Sequence, residues 1–194
     1  MPTSNETPRG AVEEIRAAIN ARDYARLQTR VDLKKFIDYG YDDAIDQLAL
    51  NCDRFHKKYP HDLLFQFGAK ALRAYNALFR PVHIGLITRV IESYFNKKFT
   101  SAPNFSSDPI GFCGYHFDRL IGAMESDIVE EDGDDVTVEL RAELIGTLRI
   151  KLTTAMVEGR RRVIKIANAD EIVEPIVDIA EKVWPREWDR GIKL

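Results

Sequence analysis

Cysteine is nearly missing from this chain: Cys52 and Cys113 are the only two. Two thiols cannot build a disulfide framework, so a reduced, cytoplasmic protein is expected. No apolar run approaches the ~18 residues of a membrane span. The start, "MPTSNETPRG", lacks the basic-then-apolar layout of a signal peptide. Neither C-x-x-C nor H-E-x-x-H occurs, and Pro60 separates His56 from His61, which removes helical ligand spacing. No metal and no cofactor is therefore expected. A glycine-rich phosphate loop is missing as well. So is positive charge in excess: the net charge is -3, which gives no bulk attraction to nucleic acid or an anionic membrane. The basic runs Lys57-Lys58, Lys97-Lys98 and Arg160-Arg161-Arg162 lack interleaved aromatics and read as solvated edges.

What is present is enough apolar material, 45% of 194 residues, for one domain with a sizeable core. Residues 1–9 are polar with two prolines and are expected to be loose; 10–183 form the domain; 184–194 are a tail. Thr7-Pro8 reads as a helix start, and Val12, Ile15, Ala18 and Ile19 share one face. Asp23 and Asp32 interrupt the apolar pattern nine residues apart. Each suits an N-cap, so they punctuate short helices. Tyr41, Ile45, Leu48, Cys52, Phe55 and Tyr59 then form one helical stripe, capped by Asp42 or Asp43 and ended by Pro60. A helix over 61–79 turns Leu64, Phe67, Ala71, Tyr75 and Leu78 inward, and Pro81 opens the next. Residues 99–114 read as a loop, followed by a short helix over 115–124.

From Glu125 the period becomes two. Val136, Val138, Leu140, Ala142 and Leu144, then Leu148, Ile150, Leu152, Thr154 and Met156, make an inner face on which only Thr154 is polar. Glu139 belongs to the solvent face. Asp132-Gly133 and Glu158-Gly159 mark hairpins flanking strands near 125–131 and 160–167. A link at Ile145-Gly146-Thr147 would pair Leu144 with Leu148 and Glu143 with Arg149. Asn168 is placed to cap a final helix, with Glu171 at the capping-box position. The fold class is α+β: N-terminal helices on a four-stranded antiparallel meander, closed by a C-terminal helix.

"AINARDYARLQTRVDLKKFID" resembles the opening of a family of uncharacterised bacterial domains with an AI…D…L…VDL…LI pattern. "LFRPVHIGLITRVIES" is similar to their following proline-started helix, and "RRRVIKIANADEIV" to their closing strand and helix, with Arg161 or Arg162 where a tryptophan often stands. The resemblance implies a cystatin-like or nuclear-transport-factor-like cone. That superfamily includes isomerases, dehydratases, ligand binders and interaction modules, and it carries over no catalytic residue.

Three stretches could carry chemistry. "FIDYGYDDAID" sets Asp38, Tyr41 and Asp42 together, a carboxylate and a phenol suited to acid–base work. Against this stands a helix end at Gly40 and a cap at Asp42. "GFCGYHFD" holds Cys113, His116 and Asp118, the ingredients of a thiol nucleophile and its base, against a packed segment. The apolar inner face leaves little for proton transfer. The expectation is a non-catalytic domain that binds a protein partner or a small apolar ligand; a homodimer is compatible with this. The alternative is an isomerase or lyase near Asp38–Asp42, and a thiol enzyme at Cys113 stands behind both.

Overall fold

The computed structural model describes residues 6–60, 63–143 and 146–183. Helix α1 (Pro8–Ala21) starts at Thr7, whose hydroxyl accepts the Gly10 N–H at 2.9 Å. Helices α2 (Tyr24–Arg30) and α3 (Leu33–Leu50) start at Asp23 and Asp32. Their carboxylates accept from the Arg26 and Lys35 N–H groups at 2.9 and 3.3 Å, so both aspartates are N-caps. Between these helices Val31 is extended and forms a parallel bridge with Val163. The helices continue as α4 (Cys52–Lys58), α5 (Leu63–Gln66), α6 (Gly68–Asn96) and α7 (Pro109–Gly122). The sheet is β1 (Glu125–Asp132), β2 (Asp135–Ala142), β3 (Gly146–Val157) and β4 (Arg160–Ile166), antiparallel throughout in that order. Helix α8 (Ala169–Val183) closes the chain's described part. The architecture is α+β, with the helices first, the meander next and a helix last.

The main core joins these layers. Val12 and Ala18 of α1, Leu27 of α2 and Val31 pack on Val136, Val138 and Val163 of the sheet. A second cluster holds Cys52, Phe55, Phe65 and Val173. The Phe55 and Phe65 rings stack at 5.2 Å there. Strand β1 is an acidic edge, "ESDIVEED", with a register skip between Ile128 and Glu130. Charge and a bulge both resist addition of a further strand.

Several expectations are corrected. Residues 6–9 are not loose: α1 begins at Pro8, and Glu6 accepts from Arg30 Nη1 at 3.0 Å and the Arg161 N–H at 2.6 Å. The remaining ends, 1–5 and 184–194, lie outside the described residues. Helix α3 runs through Gly40, which costs about 1 kcal/mol in a helix without ending it. Asp42 is consequently mid-helix and caps nothing; the break comes at Asn51. Pro81 does not open a helix but sits inside α6. Both Pro81 and Ala77, whose carbonyl loses its partner, are exposed, so water can satisfy that oxygen. Helix α7 begins within the expected loop, at Asp108, whose carboxylate accepts the Gly111 N–H at 2.8 Å, with Pro109 in its first turn.

The sheet register is also different. Glu139, not Glu143, faces Arg149, and Leu140, not Leu144, faces Leu148. The shift is four residues, an even number, so every side chain keeps its face and alternation could not detect it. On the inner face Val136, Val138, Leu148 and Thr154 are buried, whereas Met156 is exposed. Thr154 meets its polar need by donating to the Asp134 carbonyl at 2.8 Å. Glu139 is buried rather than solvated, at 8% exposure, because Arg141 and Arg149 bond it at 2.9 and 2.8 Å and cover it. Asn168 does not make a capping box. Its Oδ1 accepts from the Lys151 N–H at 2.8 Å, and its Nδ2 donates to the Arg149 carbonyl and to Glu171 at 3.1 Å. The amide thus satisfies β3 where β4 has ended and ties α8 to the sheet.

Two predictions test this frame. The Lys35 N–H, with help from the Lys35 ammonium, lowers the Asp32 carboxyl below its ordinary range. The stabilisation is therefore present at neutral pH and lost as pH falls through that lowered value. Asp32→Ala should cost about 1 kcal/mol at pH 7 in urea titrations. The gap to wild type should close in acid; a pH-independent gap would refute a charged cap. Secondly, Val136→Asp should cost more than about 4 kcal/mol, and Glu139→Lys about 2 kcal/mol, since the latter sets a third cation between two exposed arginines. A Glu139→Lys variant as stable as wild type would show that the buried carboxylate contributes nothing.

Candidate functional site

Asp38 lies one helical turn before Tyr41 and Asp42 on α3, and α6 supplies what they meet. The continuity of α6 through Pro81 puts Arg80 and His83 on its α3-facing side. Arg80 grips Asp42 in a fork, Nε to Oδ1 at 2.7 Å and Nη2 to Oδ2 at 2.8 Å. Asp38 lies 3.4 Å from Arg80 Nη2. The Asp42 carboxylate raises the Arg80 pKa above its ordinary value. One guanidinium therefore answers two carboxylates.

The Tyr41 hydroxyl is 2.5 Å from His83 Nδ1. The imidazole also lies against Tyr75 and Phe79, with ring centroids at 5.7 and 6.3 Å. Burial pushes the Tyr41 phenol up, so it is protonated at neutral pH. The arrangement can hold or pass one proton between a phenol and an imidazole.

His116 is elsewhere, on α7, with its ring 4.4 Å from Phe112 and 5.2 Å from Tyr115. Asp118 pairs with Arg22 instead of with His116 or Cys113. Cys113 is partly buried, and that burial pushes its thiol up, away from the reactive thiolate. The residues of "GFCGYHFD" are thus distributed around α7 into separate contacts.

The described surface carries clefts at several element junctions, three of which bear on the site. One of about 500 Å³ lies between α3, α6 and the β4–α8 junction, with Asp46 and Arg73 in its wall. Another of about 310 Å³ sits at the end of α7. A third, of about 430 Å³, lies between the α2–α3 junction, α6 and Arg162. None of the three is lined by Asp38, Tyr41, Asp42 or His116. Among the described residues no group of His, Cys, Asp and Glu could hold a metal ion, and no helix is long and apolar enough to cross a membrane.

Sequence reasoning missed Arg80 and His83. Their three-residue spacing matches that of Asp38–Tyr41, a signal available only if α6 is continuous. It also missed Arg161 and Arg162, each of which carries a buried Nε–H without an acceptor among the described residues. No family model, no curated protein and no solved structure matches the chain.

The Asp42–Arg80 fork is partly exposed, 48% and 34% at the side chains, so its strength is modest. A double-mutant cycle with Asp42→Asn and Arg80→Ala should give a coupling of about 0.5–1 kcal/mol in thermal unfolding. Zero coupling would mean that the fork is not populated in solution.

Proposed function

We propose that this chain is a non-catalytic partner-binding domain that docks through α6. Tyr75, Leu78, Phe79, Val82 and Leu86 follow helical spacing along one face of that helix. All five are exposed, Leu78 at 71% and Val82 at 64%. This ridge carries the proposal. Tyr75 and Leu78 were expected to point inward, and nothing in the described chain covers them. A contiguous apolar ridge in water marks an interaction surface.

The occupant we assign is a second copy of the chain. The same face of α6 continues to Ser93, which α7 does cover. Gly114 approaches so closely there that a Cβ would stand 2.9 Å from Ser93 Oγ. Coverage by a helix is thus already the use of this face, and it stops short of Leu86. From Ala71 to Leu86 the face holds no charged side chain. A two-fold axis brings identical patches together, and a neutral seam meets itself without like-charge repulsion. The order of helices, meander and closing helix supports the cystatin-like likeness, under which interaction modules are expected.

The alternative, an isomerase or lyase at Asp38–Asp42, draws on one observation, the Tyr41–His83 hydrogen bond. Arg80 engages both neighbouring carboxylates, which leaves His83 as the base such an enzyme would use. The ridge is the stronger support because its most exposed members, Leu78 and Val82, are covered by no described element.

Sedimentation equilibrium should find a dimer at about 100 µM, and Leu78→Asp or Val82→Asp should convert it to a monomer with unaltered circular dichroism. Val82→Cys should oxidise to a disulfide-linked dimer. A wild-type monomer at that concentration, with no cross-linking of Val82→Cys, would remove the second copy as occupant.

A further inference from the structure

The cleft of about 430 Å³ is built where α2 gives way to α3, and it is separate from the α6 ridge. Its walls are apolar on two sides: Val31, Leu33 and Ile37 on one, Ile84 of α6 on the other. Its charged lining is Lys34 and Arg162 against Asp32, one positive charge in excess. Asp32 is already committed, to the Lys35 N–H and to the Lys35 ammonium at 3.3 Å. Arg162 is not. Its Nη2 donates to Glu158 at 3.2 Å, but that carboxylate is 80% exposed and solvated, a displaceable partner. Its Nε–H is buried and finds no acceptor among the described residues. That nitrogen is closed to solvent, so an oxygen entering the cleft would be met by the Nη groups, of which Nη2 holds the solvated Glu158 carboxylate.

We propose that this cleft binds a small amphipathic monocarboxylate, with its carboxylate on the Arg162 guanidinium and its apolar body between Ile37 and Ile84. The guanidinium fork fits a carboxylate in two parallel hydrogen bonds. Apolar walls with a few polar and charged groups among them are the usual composition of a small-ligand site. A phosphate dianion fits less well, because Asp32 stands in the same wall and there is only one positive charge in excess. Val31 bridges Val163, the residue after Arg162, so the wall and the charge are held on one rigid unit. The site does not depend on the dimer, since Ile84 and Thr88 line it and the ridge residues do not.

Isothermal titration of the full chain with octanoate, 1-octanol and octylamine tests the assignment. Octanoate should bind saturably at one site, 1-octanol at least about tenfold more weakly, and octylamine weakest. Arg162→Gln should bring octanoate down to the level of 1-octanol. Arg162→Lys keeps the charge without the fork and should retain only part of the preference, which covers the case in which Arg162→Gln fails to fold. Ile84→Trp fills the cleft, leaves Arg162 in place and should abolish binding of octanoate and 1-octanol alike. The proposal is overturned by no saturable octanoate binding, by 1-octanol binding as tightly as octanoate, by an unchanged preference in a folded Arg162 variant, or by Ile84→Trp binding normally.

Discussion

The contact between Val31 and Val163 is the constraint on which the rest of the molecule depends. It is a single parallel bridge, yet it joins the helical half of the chain to the free edge of β4. Both side chains are nearly inaccessible, and both belong to the main core with Val12, Val136 and Val138. Val31 can reach β4 because the chain leaves helical geometry there for one extended residue. That exit is secured on both sides by aspartate caps: Asp23 starts α2 and Asp32 starts α3 immediately afterwards. The caps shape the cleft beside Arg162 for the same reason, since its walls are the residues of this junction.

Behind this seam the two cores are unequal. The main core is sealed between α1, α2 and the sheet, and the second is closed by α4, α5 and α8 around Phe55 and Phe65. Helix α6 belongs fully to neither. It packs on α3 through the Arg80 and His83 contacts and under α7 near Ser93, and it keeps an apolar flank in water. His83 supports that flank from within, because the ring bonded to Tyr41 also lies against Tyr75 and Phe79. The partners of the acid–base candidates, Arg80 and His83, and the exposed ridge therefore share one helix, and a change at either would be felt at the other.

Much was legible from short-range pattern. Thr7-Pro8, Asp23 and Asp32 named three helix starts, and the glycine pairs named two hairpins, with Glu158 and Gly159 at φ 52 and 78 in the second. These are local effects: a cap or a tight turn is decided by two to four neighbouring residues. Asp108-Pro109 carries the same information for α7, but the serines and glycines around it give the stretch the composition of a loop. The site was less legible. Asp38, Tyr41 and Asp42 were visible as a group, but their partners Arg80 and His83 lie about forty positions away, a separation of 42 residues for the Tyr41–His83 pair.

By itself the sequence determined the fold class, the order of helices, meander and closing helix, and the buried face that carries Val136, Val138, Leu148 and Thr154. Each of these follows from periodicity, which is carried along the chain at a fixed repeat of two or of about 3.6 residues. Tertiary structure alone decided the register of β2 on β3, because an even slip of four residues leaves the alternation unchanged. It alone decided that Glu139 is buried, since its cover comes from Arg141 and Arg149 rather than from its own strand pattern. It also decided which side of α6 is covered. An apolar helix stripe states that burial is favourable; whether another element is at hand to provide it depends on how the whole chain packs, and along Tyr75–Leu86 none of the described elements does.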